Sequence, residues 1–139
     1  MKSYLLIFAF LISSVSFSQS IVGEWETYDD ETNEKKGLIE IYKNGDKYFG
    51  KIKGTYVKKE ETKCVPCKGD KHNKPIIGLT IIENLKKDGD EFTDGTILDP
   101  ENGKEYDCTL SLISADKLKV RGYIGFSLLG RTQYWLRKK

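Results

Sequence analysis

Short stretches of alternating apolar and polar residues, separated by turn residues, run through most of the 139-residue chain. Alternation places successive side chains on opposite faces of a strand, so each stretch predicts a β-strand with one buried face. The predicted strands cover residues 21–28, 38–43, 47–57, 76–85, 91–98, 105–113, 117–124 and 131–137. No long helical periodicity interrupts them, although a short helix at 29–35 or at 126–129 is compatible with the pattern.

Turn residues between these stretches predict short hairpin connections. Asn44-Gly45 accepts the positive φ angles of a tight turn, and Asp88-Gly89 is a second signal of this kind. Eight strands joined by hairpins predict an all-β, small antiparallel up-and-down barrel, because closure removes the exposed edges of a sheet. A two-sheet sandwich is the alternative. A barrel of this size is either filled by side chains or holds one small ligand.

The first 18 residues do not follow the strand pattern. A lysine, an apolar stretch over residues 4–12 and small residues up to Ser18 are in the order of a secretory signal peptide. We therefore predict cleavage before Gln19 and a single domain over residues 19–139, located in the periplasm or secreted. The apolar stretch is shorter than the roughly 20 residues of a membrane span. An uncleaved N-terminal anchor helix is the alternative.

Charge and composition exclude several classes of function. The chain has a net charge of +2 at pH 7, with both signs interleaved, whereas nucleic-acid binding requires a clustered basic stripe. His72 is the lone histidine, and the sequence around it shows no order typical of a Ser-His-Asp catalytic triad. No glycine-rich loop of the phosphate-binding kind is present. The sequence therefore predicts no nucleic-acid partner, no cofactor and no catalytic residues.

Residues 58–75 form a long polar stretch without alternation, which contains Cys64, Cys67 and His72. Loops of this length are uncommon in compact domains and are often functional. Cys108 is the third cysteine of the chain. We favour a disulfide between two of the three cysteines, as expected in an exported domain, and the sequence does not show which two are joined. One alternative is a structural zinc site of the three cysteines and the histidine. The other is a redox dithiol, which would require a helix after the cysteine pair.

Trp25 lies on the first predicted strand and shares a face with Gly23 and Thr27. A tryptophan in this place can plug one end of a small barrel. An arginine of the last strand can then lie across its ring in a cation–π contact. Arg131 and Arg137 are both available, and we assign Arg137 to this structural plug.

Glycine-bounded segments near the C-terminus carry the candidate ligand-binding residues, which are Arg121, Tyr123, Arg131 and Trp135. Glycines in strands mark bulges or the close approach of another group. If the face of Arg131 and Trp135 points into the barrel, its arginines need acidic partners or an anionic ligand. If it points outward, they form cross-strand pairs on the surface. We favour the outward or structurally paired arrangement, and ligand lining is the functional alternative.

Four segments occur in a characteristic order along the chain. They are Gly23-x-Trp25, Tyr48-Phe49-Gly50-Lys51-Ile52, Asp99-Pro100-x-Asn102-Gly103-Lys104-x-Tyr106, and residues 118–125 followed by Leu129-Gly130-Arg131-Thr132-Gln133 and Trp135. This set resembles the bacterial family called domain of unknown function 2147. The resemblance implies an exported protein with a lipocalin-like β-barrel, and it implies no catalytic residue. The cysteine-containing loop departs from the acidic loop that is usual in the family.

These observations leave three functional hypotheses. The first is a non-catalytic binding module whose barrel takes a small or partly anionic molecule. The second is a structural or interaction protein of the cell envelope, with an interior filled by Tyr48, Tyr56, Tyr106, Leu110 and Leu112. The third is a redox or zinc module centred on the cysteines. Enzymatic turnover has the least support.

Overall fold

The structure, a computed structural model, describes residues 20–58, 62–125 and 130–139. These residues form eight strands in a closed antiparallel barrel, in which each strand pairs with its sequence neighbours and the last pairs with the first. The strands are β1 (Gly23–Tyr28), β2 (Lys35–Asn44), β3 (Lys47–Thr55), β4 (Thr80–Asp88), β5 (Glu91–Asp99), β6 (Lys104–Ser114), β7 (Lys117–Tyr123) and β8 (Gly130–Arg137). The predicted barrel is confirmed, and the sandwich alternative is wrong.

Some predicted boundaries differ from the observed ones. β4 begins at Thr80 rather than at residue 76, because the preceding residues complete the long connection from β3. In that connection the Ile76 amide donates to the Thr62 carbonyl oxygen at 2.9 Å. Residues 30–32 form a turn and not a helix. The predicted signal peptide and the helix considered at 126–129 lie outside the described residues.

The two ends of the barrel differ because an up-and-down chain places its connections at alternate ends. One end, which we call the closed end, carries the three short turns after β2, β4 and β6. Gly45 and Gly89 have φ angles of 66° and 60° there, as tight hairpins require. The other end, which we call the open end, carries the longer connections after β1, β3, β5 and β7.

Trp25 and Arg137 seal the closed end. The Trp25 side chain is fully buried, and its Nε1 donates to the Ile21 carbonyl oxygen at 2.8 Å. The Arg137 guanidinium lies 4.3 Å from the centre of the Trp25 ring, which is cation–π geometry. It also donates to the carbonyl oxygens of Ser20, Val22 and Ala115 at 2.9, 3.1 and 2.9 Å. One side chain therefore ties together the segment before β1, the turn after β6 and the end of β8.

Gly23 makes room for this arginine. Its φ angle of 138° is one that other residues rarely adopt, and a Cβ atom built there would lie 2.7 Å from the Arg137 guanidinium. The spacing of glycine and tryptophan on β1 thus follows from the contact that both make with β8.

Large apolar side chains fill the half of the barrel next to the closed end. Tyr48 and Phe92 pack edge to face with ring centres 4.9 Å apart, and Leu85 and Leu110 beside them are fully buried. Cys108 is also fully buried, and this burial, with the nearby Asp107 charge, raises the pKa of its thiol to about 12. The thiol therefore stays protonated and unreactive in the folded protein.

A disulfide between Cys64 and Cys67 organises the long β3–β4 connection. Their Cα atoms are 5.4 Å apart. The Cys64 amide donates to the Lys74 carbonyl oxygen at 2.8 Å, and the Asn73 amide donates to the Cys64 carbonyl oxygen at 2.9 Å. The predicted disulfide is confirmed, with the short-range connectivity, and Cys108 is left as a thiol.

The disulfide loop packs against the turn between β5 and β6. The Cys64 Sγ lies 3.6 Å from the Pro100 carbonyl oxygen. Gly103, which is buried and has a φ angle of 73°, abuts the Pro66 carbonyl so closely that a Cβ atom would overlap it. The loop and the turn therefore form one wall of the open end.

The Arg137 contacts generate a prediction about stability. Replacing Arg137 with Met removes the cation–π contact and three hydrogen bonds, so the free energy of unfolding should fall by roughly 2–3 kcal/mol. Urea denaturation measures this change. The control is Arg131→Met at the other end of β8, where the side chain is 68% exposed and the loss should stay within about 0.5 kcal/mol. Equal losses in both variants would contradict the assigned role.

The disulfide generates a second prediction. Protein unfolded in denaturant without reductant should show one reactive thiol, and reduction should raise the number to three. The folded protein should show none, because Cys108 is buried and protonated. Thiol titration measures each state, and Cys108→Ala should lower the unfolded, unreduced count to zero. Three thiols without reductant would mean that Cys64 and Cys67 are unpaired.

Candidate ligand-binding cavity

A cavity of about 680 Å³ occupies the half of the barrel next to the open end. Its volume lies within the range of about 300–1,000 Å³ that is usual for small-molecule sites. Apolar side chains from six different strands line its interior, among them Ile39, Ile52, Ile81, Ile97, Val120 and Trp135. The cavity is therefore an apolar chamber that opens between the long connections.

Missing side chains create this space. Gly37, Gly54 and Gly122 all line the cavity and contribute no side-chain volume to it. At Gly122 an added Cβ atom would come no closer than 3.6 Å, to Ile97, which is an ordinary contact. The backbone therefore has room for a side chain there, and the absence of one leaves the chamber open. Gly37 and Gly54 were not among the predicted site residues, although inward glycines within strands were the available signal.

Polar side chains surround the entrance, and oppositely charged pairs join several of them. Among the described residues, the polar ones that line the cavity are Thr27, Tyr28, Lys36, Thr55, Asp99, Glu101, Asn102, Tyr106, Tyr123, Arg131 and Gln133. The Lys36 Nζ lies 2.7 Å from the Glu101 Oε1. The Arg131 Nε lies 3.1 Å from the Asp30 Oδ2. The entrance thus combines hydrogen-bonding groups with charges of both signs above an apolar interior.

The face of β8 that carries Arg131, Gln133 and Trp135 points into the barrel. All three residues line the cavity, and Trp135 is only 2% exposed. The Trp135 Nε1 donates to the Gln133 Oε1 at 3.2 Å, and the Gln133 Nε2 donates to both Asp30 carboxylate oxygens at 3.3 Å. The face therefore points inward rather than outward, whereas Arg131 is structurally paired, through Asp30, as the favoured arrangement also allowed.

Arg121 and Tyr123 lie on β7 and differ in their relation to the cavity. Tyr123 lines it near the entrance. Arg121 is not among the lining residues, because the alternation of β7 directs its neighbours Val120 and Gly122 inward. Its Nη1 donates to the Thr132 Oγ1 at 3.2 Å. Of the four candidate ligand-binding residues, the structure brings together Tyr123, Arg131 and Trp135.

A buried carboxylate supports the entrance beside β1. Glu26 is 8% exposed and accepts hydrogen bonds from Lys35, Tyr28 and Tyr56 at 3.0, 3.2 and 3.4 Å. The Lys35 hydrogen bond is the main cause that lowers the pKa of Glu26. Burial, followed by the bond to Glu26, raises the pKa of Tyr28, which also lines the cavity.

Tyr56, which the filled-barrel hypothesis placed inside the barrel, is 46% exposed. β3 ends at Thr55, so the alternation that directs Tyr48 and Ile52 inward does not continue to it. Its hydroxyl instead donates to Glu26, as described above. Tyr56 therefore does not fill the interior, and this prediction was wrong.

The cysteine residues of the β3–β4 connection do not line the cavity. Ile76, at the end of the loop, lines the cavity. Cys64 and Cys67 are 0% and 3% exposed, and only a single 3₁₀ turn, Gly69–Lys71, follows them. This setting does not provide the exposed thiolate at a helix N-terminus that redox dithiols use.

His72 does not complete a metal site. Its Nδ1 lies 2.9 Å from the Val65 carbonyl oxygen and 3.1 Å from that of Cys67, which ties the histidine to the disulfide loop. The disulfide occupies two of the four predicted metal ligands. Among the described residues, no group of three or more His, Cys, Asp or Glu side chains is placed to hold a metal ion.

Comparison with solved structures finds a similar barrel. Among solved structures it is similar to protein HP1028 from Helicobacter pylori, described as belonging to the lipocalin family. The two proteins share 15% sequence identity, and the TM-score is 0.76. The similarity covers 86% of this chain and 84% of the HP1028 chain, and it is a likeness of fold.

The sequence comparisons concern the family. No curated protein matches the chain. Within the described ranges, no helix has the length and apolar character needed to cross a membrane. Residues 23–137 match the family described as an uncharacterized protein conserved in bacteria, DUF2147. This match spans every strand of the barrel, and the protein therefore belongs to the DUF2147 family.

Proposed function

We propose that this protein is an exported, non-catalytic binding module that holds one small, largely apolar molecule in the open half of its barrel. The observation that carries the proposal is the apolar chamber of about 680 Å³ with a polar entrance. Chambers of this kind bury most of a small ligand and orient it with a few polar groups.

The energetics of apolar burial support this assignment. A ligand that buries about 300 Å² of apolar surface gains roughly 7.5 kcal/mol at about 25 cal/mol per Å². Part of this gain offsets the loss of translational and rotational freedom on binding. A preformed chamber keeps the further cost of ordering the protein small, because pairing within the sheet already fixes its walls. Apolar contact can therefore retain a ligand without any covalent or metal bond.

The rival role, a structural protein with a filled barrel, requires side chains to occupy the interior. Leu110 and Tyr48 do fill the closed half. In the open half Tyr106 lines the chamber instead of occupying it. The chamber favours ligand binding over the filled-barrel role for this reason.

Export is supported by two features of the sequence. The first 18 residues have the order of a cleavable signal peptide. The Cys64–Cys67 disulfide suits an oxidising compartment such as the periplasm or the cell exterior. Both features agree with a protein that binds its ligand outside the cytoplasm.

Filling the chamber tests the binding function. Gly122→Phe places an aromatic ring in the chamber, and ligand retention should be lost because the backbone accepts the side chain while the space disappears. Native mass spectrometry of protein purified from its own host, compared with the denatured mass, detects a retained molecule. Binding of 1-anilinonaphthalene-8-sulfonate gives an independent measurement.

The matched control is Lys119→Phe, which adds the same ring to the outer face of β7. This variant should retain the molecule and bind the probe as the unsubstituted protein does. Circular dichroism should show the same β-sheet spectrum for both variants. The binding function is contradicted if both variants bind alike, or if the unsubstituted protein neither retains a molecule nor binds the probe.

Export is tested by the N-terminus of the protein in its host. The intact mass of protein recovered from the periplasm or the medium should correspond to a chain that begins at Gln19. The double variant Ser16→Leu, Ser18→Leu puts bulky side chains where signal peptidase requires small ones, so it should accumulate as the uncleaved chain. Full-length, unsubstituted protein in the cytosol would overturn this part of the proposal.

A further inference from the structure

We infer that the ligand carries a carboxylate at one end, and that Lys36 receives this carboxylate by exchanging it for that of Glu101. The inference rests on the proposed function and specifies the class of ligand as an amphiphile with an apolar chain and a single anionic end. Lys36 and Glu101 are then the residues that determine specificity at the entrance.

The ion pair between these two residues spans the opening of the barrel. Lys36 belongs to β2, whose neighbours are β1 and β3, and Glu101 belongs to the turn between β5 and β6. At least two strands separate them in either direction around the barrel. Their side chains nevertheless meet at 2.7 Å, and both line the cavity. An entering ligand must therefore pass the pair or part it.

The backbone on both sides of the pair is held in place. The Lys36 carbonyl oxygen accepts from the Tyr56 amide at 3.0 Å. The Glu101 amide donates to the Asp99 Oδ1 at 2.9 Å, and the Gly103 amide donates to the Asp99 carbonyl oxygen at 2.8 Å. The pair consequently opens by rotation of the two side chains. Since these are 35% and 49% exposed, water screens their attraction and parting them costs little.

The Glu101 carboxylate shows which group fits beside Lys36. A carboxylate oxygen already lies at hydrogen-bonding distance from the ammonium group at the entrance of an apolar chamber. A ligand carboxylate in that place keeps Lys36 paired while the apolar chain enters the chamber. The displaced Glu101 side chain, half exposed, can turn to solvent. A neutral ligand that parts the pair provides no such replacement.

The charges that line the described part of the chamber are balanced, so the preference for an anionic end rests on the exchange at Lys36. Among the described residues, the lining cations are Lys36 and Arg131, and the lining carboxylates are Asp99 and Glu101. Asp99 uses its Oδ1 to accept from the backbone of its own turn. The Asp30 partner of Arg131 does not line the chamber. A ligand carboxylate that takes the place of the Glu101 carboxylate thus keeps a negative charge beside Lys36.

Three probes with the same twelve-carbon chain separate the alternatives. They are dodecanoate, dodecanol and dodecylammonium, each titrated into the full mature protein below its micelle concentration and followed by calorimetry. Dodecanoate should bind most tightly. Lys36→Met should weaken dodecanoate about three- to fivefold, the effect of one lost part-exposed ion pair, and should change dodecanol by less than about twofold.

Two further variants keep the result interpretable. Glu101→Gln removes the competing carboxylate, so dodecanoate should bind severalfold more tightly than it does to the unsubstituted protein. Lys104→Met, at an exposed position next to the same turn, should leave all three affinities unchanged. Since Lys36→Met and Glu101→Gln shift dodecanoate affinity in opposite directions, a general loss of folding cannot produce the expected pattern.

The outcomes distinguish this inference from the proposed function. Equal binding of dodecanoate and dodecanol, insensitive to Lys36→Met, would overturn the anionic end and leave the binding module intact. Preferential binding of dodecylammonium, lost in Glu101→Gln, would assign the opposite charge to the ligand. Failure of all three probes to bind, together with failure of the Gly122→Phe test, would overturn the binding module itself.

Discussion

Closure of the barrel depends on its shortest seam, the one between β1 and β8. That seam contains two paired positions, Trp25 with Arg137 and Glu26 with Leu136, whereas β1 and β2 pair at six. A seam this short provides few backbone hydrogen bonds, so side chains must complete it. The Arg137 guanidinium does so by binding the Trp25 ring and three carbonyl oxygens at once. Without closure the chamber would have no continuous wall.

The two halves of the barrel divide stability and function between them. Large side chains such as Phe92 and Leu110 fill the half next to the short turns, and this half has the packed core that a small domain needs. In the other half Gly54 and Gly122 stand where side chains would otherwise meet. The open half has a cavity in place of packed side chains, and the pairing of the strands maintains its shape.

Much of the fold could be predicted because its signals are local. Alternation and turn residues are read within a few positions, and they predict the strands, the hairpins and the barrel. Tyr56 was misplaced because alternation does not show where a strand ends. The pairing of Cys64 with Cys67 was left open because connectivity depends on distances in space, and the sequence offered Cys108 as an equal partner.

The entrance was harder to predict, since its contacts join distant parts of the chain. Lys36 and Glu101 lie in unremarkable polar segments, and only closure of the barrel brings them together across the opening. Asp30 meets Arg131 in the same way, from a turn whose sequence reads as solvent-exposed. Inward orientation of β8 could have been inferred from Trp135, because burial of a large aromatic ring fixes the face on which it lies.

The placement of the tryptophans has a consequence for spectroscopy. The chain contains two, and the structure puts Trp25 in the sealed end and Trp135 in the chamber wall. Their indole groups experience separate environments, one bounded by a guanidinium and the other by the space that a guest would occupy. The intrinsic emission of the protein therefore contains two independent optical signals, one for the integrity of the barrel and one for the occupancy of its interior.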